Sequence, residues 1–413
     1  AIFFFFFIKY FSIYCLRKSK ILKYDSKVSY HNINVNKLTE IINYFIIYTL
    51  YFGGVIMSNI AKCVNIIKEK GADALILLDE ANMHYLCSFS PSEGMIVIFS
   101  NGDAYHLVDS RYTETAQIHA EKTGLKVIEI SQGFYSSLAQ LLGEHNAQSA
   151  VIENETISLK AYNAIKKECD GIILFNLSDS LMRERNKKEA WEIELMKKAN
   201  AIAEKSFLEL LNHIEIGKSE KELAAYFDYL MAQNGSDGVS FDTILLTGTH
   251  TSMPHGVPDE RKIENGDFVL MDFGATYMGY HSDMTRTVCV GNPSDEMCEM
   301  YDLVLKAQTA GIKALEAGKK CADVYKAAKN VLDSENMGDY FRHGLGHGVG
   351  LEIHEGFNAS PRSGDTYEVG NVTSIEPGIY LPDKFGIRIE DVCYLAPRGR
   401  ENLSNITKQL IIL

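Results

Sequence analysis

Hydrophobic and polar positions follow two alternating rhythms along this chain from residue 57 onward. Residues 59–70 carry apolar side chains three and four apart and close on Gly71, a pattern that predicts an amphipathic helix. The runs 74–78, 95–99 and 104–108 are short, apolar or alternating, and bounded by polar turns, so they predict strands. Helices are expected next at 113–122, 134–142 and 159–167, with strands at 126–130, 150–152 and 172–175. Such interleaving predicts an α/β domain over residues 57–183. The charge run from Met182 to Glu189 has the composition of a solvated connector, and the domain boundary is placed there. Long helical patterns at 189–211 and 219–233 open a second domain over 184–413. Strand patterns dominate it beyond Val239, broken by helices at 295–315 and 321–334, which predicts an α+β architecture.

Residues 1–56 break the pattern. They start on Ala1, run through five phenylalanines from Phe3 to Phe7, and are crowded with Ile, Asn, Lys, Phe and Tyr, whose codons are rich in A and T. Gly53 and Gly54 precede Met57 at the distance of a bacterial ribosome-binding sequence, since GGAGG encodes Gly-Gly. We read the segment as upstream translation or a disordered extension, with the natural start at Met57. A membrane anchor is the rival reading, because 41–56 is almost continuously apolar. That run is shorter than the roughly 20 residues of a spanning helix, and no A-x-A cleavage site follows it. Mass spectrometry of protein made from the native gene decides between the two.

The 413 residues suffice for two domains, each with a core. A formal charge of −13, or −18 for residues 57–413, argues against a nucleic-acid partner, which needs a basic face. Eight cysteines without a C-x-x-C pair argue against a thiolate zinc site and a thioredoxin-type motif, and point to a reducing cytoplasm.

Chemistry concentrates in four tracts of the second domain. Residues 268–287 hold Asp272 and Asp283. A hairpin turning at Tyr277 and Met278 would set these acids directly opposite one another on one face. Acid pairs are ordinarily solvent-facing, but Asp272 follows the apolar run 268–271 and so belongs to the interior, where facing carboxylates need a cation between them. In residues 374–391 a hairpin centred on Asp383 brings Glu376 opposite Glu390 and turns Asp391 to the other face. Residues 343–355 carry His343, His347 and His354 among four glycines at alternate positions, a bare backbone suited to close approach. This is neither G-x-G-x-x-G nor H-E-x-x-H, so it supports neither a dinucleotide site nor a zincin helix. His255 lies in a turn-like loop ahead of the first hairpin. Four carboxylates and one imidazole make a hard donor set that suits Mn²⁺, Co²⁺, Fe²⁺ or Zn²⁺ and balances two divalent ions. Two such ions sharing a bridging hydroxide lead to attack on a carbonyl.

The tracts M-D-F-G-A-x-Y-x-G-Y-x-S-D-x-T-R-T, H-G-x-G-H-G-x-G-L-x-x-H-E, I-E-P-G-I-Y and G-I-R-I-E-D stand in order here. Together they resemble the pita-bread metallopeptidases, which include Xaa-Pro aminopeptidase and Xaa-Pro dipeptidase (prolidase). The resemblance covers residues 57–413. Asn82 to Leu86 and Val108 to Tyr112 are similar to the amino-terminal domain of the proline-directed members, which disfavours methionine aminopeptidase. Creatinases share the fold without the complete ligand set. The resemblance implies a creatinase-type α/β domain followed by an α+β pita-bread catalytic domain with a curved antiparallel sheet.

It also implies two divalent ions, Mn²⁺ first, bridged by Asp283 and Glu390. Asp272 binds one ion, and His347 with Glu376 binds the other. Glu376 moves the proton of the nucleophilic water, His255 and His354 hydrogen-bond the substrate carbonyl or tetrahedral intermediate, and His343 makes a substrate-side contact. Arg388 is expected at the substrate-binding side, orienting Glu390 or an acid beside it. A peptide substrate, a homodimer and a cytoplasmic location follow, with no membrane or nucleic-acid partner. Where prolidase-like members read x-Pro-Arg after His-Glu, this chain has Gly356, Phe357 and Asn358, with Arg362 four residues on. The change favours an Xaa-Pro aminopeptidase over a dipeptidase. A metal-free peptide-binding pseudoenzyme is the remaining alternative, opposed by the five intact ligand positions.

Overall fold

The structure, a computed structural model, describes residues 52–413. The expectation for residues 1–56 thus falls outside the described residues, apart from the last five, which open the first helix.

Helix α1 (Phe52–Glu69) leads into β1 (Ala74–Leu77), α2 (Glu80–Cys87), β2 (Gly94–Phe99), β3 (Ala104–Val108), α3 (Thr113–Thr123), β4 (Lys126–Glu129), α4 (Phe134–Glu144), β5 (Ser149–Ile152), α5 (Leu159–Glu168) and β6 (Ile173–Asn176). The strands form one six-stranded sheet in the order β4-β3-β2-β1-β5-β6, with β1 antiparallel to β2 and parallel to β5. Strand β1 is buried on both faces, which is why it reads as a continuous apolar run. Ala74, Ile76, Met95 and Val97 meet Leu138 and Leu141 of α4 on one side. Leu75, Leu77, Ile96 and Ile98 meet α1 on the other, in a core that continues into the second domain through Trp191, Tyr280 and Val349. Every expected element of this domain is present within two residues of its expected bounds, except that α1 starts before residue 59. Helix α2 went unrecognised because five of its eight residues are buried and leave no polar stripe to mark a period.

The charge run 182–189 is not a solvated connector. Its first part lies in helix α6 (Ser180–Asn186), and Arg185 and Lys188 are buried. The physical reason is pairing, because both cations meet the buried carboxylate of Glu355. Helix α7 (Ala190–Leu210) follows behind a capping box of Glu189 and Glu192, then α8 (Glu220–Gln233) behind an N-cap at Ser219.

The remaining strands are β7 (Gly238–Val239), β8 (Ile244–Thr247), β9 (Phe268–Phe273), β10 (Ala275–Tyr277), β11 (Tyr280–His281) and β12 (Met284–Cys289). After helices α9 (Asp295–Ala314) and α10 (Cys321–Ser334) come β13 (Gly346–His347), β14 (Asn358–Ala359), β15 (Val372–Ile375), β16 (Gly378–Leu381), β17 (Phe385–Arg388), β18 (Asp391–Ala396) and β19 (Gly399–Asn402). Every pair of named strands in this domain is antiparallel. Helices α9 and α10 pack Val304, Ala307, Val324 and Ala328 against Ile375, Ile387 and Ile389, while α7 and α8 pack Phe207 and Phe227 against Phe273. This is the two-domain architecture the sequence pattern implied.

The hairpins decide the site. Ile375 pairs with Asp391 and Gly378 with Arg388, so the common register sets Glu376 opposite Glu390, as expected for a turn centred on Asp383. The first hairpin departs from expectation. Tyr277 pairs with Tyr280, so the turn lies at Met278 and Gly279, and Asp272 faces Thr285 rather than Asp283. The cause is the turn chemistry. Met278 (φ 49°) and Gly279 (φ 82°) are both left-handed, the geometry of a two-residue I′ turn that matches strand twist. Asp283 therefore stands diagonally from Asp272, still on the same face.

Among the described residues no helix is long and apolar enough to cross a membrane. The seven described cysteines are unpaired.

Candidate metal centre

Four strand segments converge on one face. Asp272 comes from β9, Asp283 from just before β12, and Glu376 and Glu390 from the paired ends of β15 and β18. His347 enters on β13, whose glycine neighbours allow contact: a Cβ on Gly346 would collide with the carbonyl oxygen of Ser374. The imidazole Nε2 stands 3.4 Å from both Asp283 Oδ2 and Glu376 Oε1. Donor atoms of Asp283, His347 and Glu390 all lie within 4.8 Å of one another.

The electrostatics of this cluster ask for cations. Burial, then Asp272 and Glu376 nearby, push the Asp283 carboxyl well above its ordinary range. Burial, then Asp283, does the same to Glu390. Glu376 is pushed up to about 8 by burial, with Asp272 adding to the shift and Arg388 and Ser374 opposing it. Carboxylates this close repel unless positive charge separates them. Burial, then His354, pushes His347 down to about 4, so it is neutral at pH 7. Its Nδ1 donates to the Gly348 carbonyl at 3.1 Å, which leaves the Nε2 lone pair pointing at the acids. Asp272 Oδ1 and Glu390 Oε1 are buried with no hydrogen-bond partner among the described residues, a costly condition unless a ligand uses them. This donor set fits hard divalent ions.

A second layer fixes the acids. Arg388 is buried and gives Nη2 to Asp272 Oδ2 at 2.6 Å, Nε to Thr285 Oγ1 at 3.0 Å and Nη1 to the Tyr380 hydroxyl at 2.8 Å. The acid it orients is Asp272. Thr285 passes its own hydrogen to Glu390 Oε2 at 2.7 Å. Ser374 links His347 and Glu376, accepting from the His347 amide at 3.1 Å and donating to Oε1 at 3.2 Å. Asp391 turns away to a buried pair with Arg286 at 2.7 Å.

Three further histidines are expected on the substrate side. His343 Nδ1 donates to the Gly344 carbonyl, so the neutral ring accepts the Tyr380 hydroxyl at Nε2, 2.9 Å away. His354 is exposed, with its ring centroid 4.2 Å from that of His347. His255 is exposed on a loop whose ends are held by the buried carboxylate of Glu220, which accepts from the amides of Thr247 at 2.7 Å and Asp259 at 3.0 Å and from His250 Nδ1 at 2.8 Å. Phe357 packs edge-on against Tyr367, while Asn358 and Arg362 are exposed.

Thr285, Ser374, Tyr380 and Glu220 carry this geometry without having been singled out from sequence. Strand alternation already placed Tyr380 and Arg388 on the face of Glu376 and Glu390. Thr285 required the correct register, and Glu220 required the tertiary fold.

The chain matches the model of metallopeptidase family M24 over residues 194–397 and that of the creatinase/prolidase N-terminal domain over residues 59–186. It is 33% identical over 350 residues to an Xaa-Pro dipeptidase of Pyrococcus furiosus, covering 85% of this chain and 98% of that one. Among solved structures, an Xaa-Pro dipeptidase from Bacillus anthracis superposes with a TM-score of 0.83 at 34% identity, covering 87% of this chain and 100% of that one. An X-Pro aminopeptidase from Thermotoga maritima gives a TM-score of 0.80 at 34% identity, covering 84% and 100%. With this architecture, this cluster of acids and these relatives, the chain belongs to metallopeptidase family M24, in the group that carries a creatinase/prolidase N-terminal domain.

Proposed function

We propose that this protein is a metal-dependent exopeptidase that removes the N-terminal residue from peptides with proline in the second position. One observation carries the reading: four acids and one neutral imidazole converge, and two of the buried carboxylate oxygens have no hydrogen-bond partner among the described residues. We assign Asp272, Asp283, His347, Glu376 and Glu390 as the ligands of two divalent ions, Mn²⁺ before Co²⁺, Zn²⁺ or Fe²⁺. When bound, such ions polarise the scissile carbonyl and acidify the attacking water.

The residues divide the remaining work. Glu376 takes the proton of the attacking water and returns it to the leaving amine, with Ser374 holding Oε1 and leaving Oε2 for the transfer. His255 and His354, both exposed, donate to the carbonyl oxygen as it gains charge. His343 contacts the substrate from the Tyr380 side. Arg388 holds Asp272 and, through Thr285, Glu390.

A second reading, Xaa-Pro dipeptidase, is favoured by Arg362, which follows Asn358 by four residues, is exposed and suits a free carboxylate. Assay of Xaa-Pro against Xaa-Pro-Xaa peptides separates the two. Faster cleavage of the tripeptides is expected, and cleavage confined to dipeptides overturns the preference. Binding of less than one divalent ion per chain, with no peptidase activity on adding Mn²⁺, would leave only a peptide-binding pseudoenzyme. We also assign a cytoplasmic location, where unpaired cysteines persist, and a homodimer, which light scattering of the purified protein checks.

A further inference from the structure

Beside the site, a cluster of buried charges joins the two domains. Arg185 and Glu355 have side chains 2% and 1% exposed, and their closest atoms are 3.0 Å apart. Lys188, equally buried, reaches the other Glu355 oxygen at 2.7 Å. On the N-terminal side Arg185 Nη1 donates to Asn82 Oδ1 at 2.8 Å. Asn82 in turn donates to Glu153, whose carboxylate also holds the amides of Leu78 and Asp79 at the end of β1. A continuous polar chain thus runs from the first domain's sheet to Glu355.

Glu355 closes a tight loop. Its amide donates to the Gly348 carbonyl at 2.9 Å, and its carboxylate accepts the Glu352 amide at 3.2 Å. Gly350 makes room for it, because a Cβ there would strike the carboxylate. His354, the residue before it, is exposed, and its ring is packed on that of His347. Isolated ion clusters of this burial are poor stabilisers compared with apolar packing, so their use here calls for another reason.

We propose that Glu355, clamped by Arg185 and Lys188, is a positioning residue that sets His354 at the reacting carbonyl, so that docking of the N-terminal domain completes the active site. The proposal rests on the exopeptidase reading for the role of His354. Displacement by about an ångström costs catalysis up to about a hundredfold without changing which groups are present.

The test is a double-mutant cycle between E355Q and H354A in the Mn²⁺-loaded full chain, with histidine-labelled protein in its diamagnetic Zn²⁺-loaded form followed by NMR. E355Q is expected to lower kcat about tenfold or more while KM stays within about twofold. In the H354A background the same change should lower kcat no further. The His354 ring resonance, identified by its loss in H354A, should move in E355Q, whereas that of His106 in β3 should not. R185K, which keeps the charge but loses the fork, supplies the same cycle should E355Q fail to fold. Equal losses in both backgrounds, or an unmoved His354 resonance, overturn the proposal. If no Xaa-Pro peptide is cleaved at all, the exopeptidase reading fails, and the resonance alone still decides whether Glu355 positions His354.

Discussion

Thr285 joins two buried charged groups, Arg388 and Glu390. It accepts from Arg388 and donates to Glu390, so removing its hydroxyl leaves both without that bond inside a buried site. T285V, nearly the same shape, is expected to weaken divalent-ion binding about 10- to 100-fold by calorimetry, the usual cost of losing a residue behind a metal ligand. Unchanged affinity would mean that Glu390 needs no such support. Glu192 shows the opposite case, an acid whose burial, against Lys188 and its hydrogen bonds, pushes its carboxyl up to about 7. A raised carboxyl favours the folded state at low pH, and that advantage drains away as pH rises from the ordinary value through about 7. E192Q should therefore lack this slope, gaining on the wild type in thermal midpoint between about pH 4.5 and 7 and running parallel above it. A constant difference across that window would refute the assignment.

At the scale of elements, the turn at Met278 and Gly279 sets where every side chain of the first hairpin lands. Two residues with positive φ place the turn one residue later than a turn at Tyr277 and Met278, and this put Thr285 opposite Asp272. A Cβ on Gly279 would also run into the His84 ring of the N-terminal domain. G279A is expected to destabilise the protein by about 1–3 kcal/mol, read from denaturant midpoints. A neutral result would show that the turn tolerates another backbone conformation. The second hairpin was legible because Asp383 marked its centre and flanking alternation did the rest. The first was not, since Met278 carries no signal for a left-handed residue.

For the whole molecule, coupling between binding and folding sets the expectation. Ions that bind the folded chain at about 100 times their dissociation constant add about 2.7 kcal/mol per site. Chelation should therefore lower the thermal midpoint by about 5–10 °C, with Mn²⁺ restoring it. A midpoint indifferent to chelator and Mn²⁺ would count against the metal assignment. The interdomain cluster adds an acid limit. Burial alone would raise the Glu355 carboxyl, but Lys188 and Arg185 bring it down to about 2. Its stabilising contribution is present above about pH 4.5 and is lost as pH falls toward 2.

Local pattern alone determined the α/β domain and the α+β character of the second, and marked the acids and His347 as candidates, because helix and strand periods and ligand chemistry are written in consecutive residues. Charge runs misled where partners were distant: Arg185 and Lys188 look like a solvated linker until Glu355, 170 residues beyond Arg185, folds against them. Tertiary structure decided the first hairpin's register, the attachment of Arg388 to Asp272, and the clamp behind His354. Each depends on desolvation and close approach, which no stretch of sequence contains until the chain has packed.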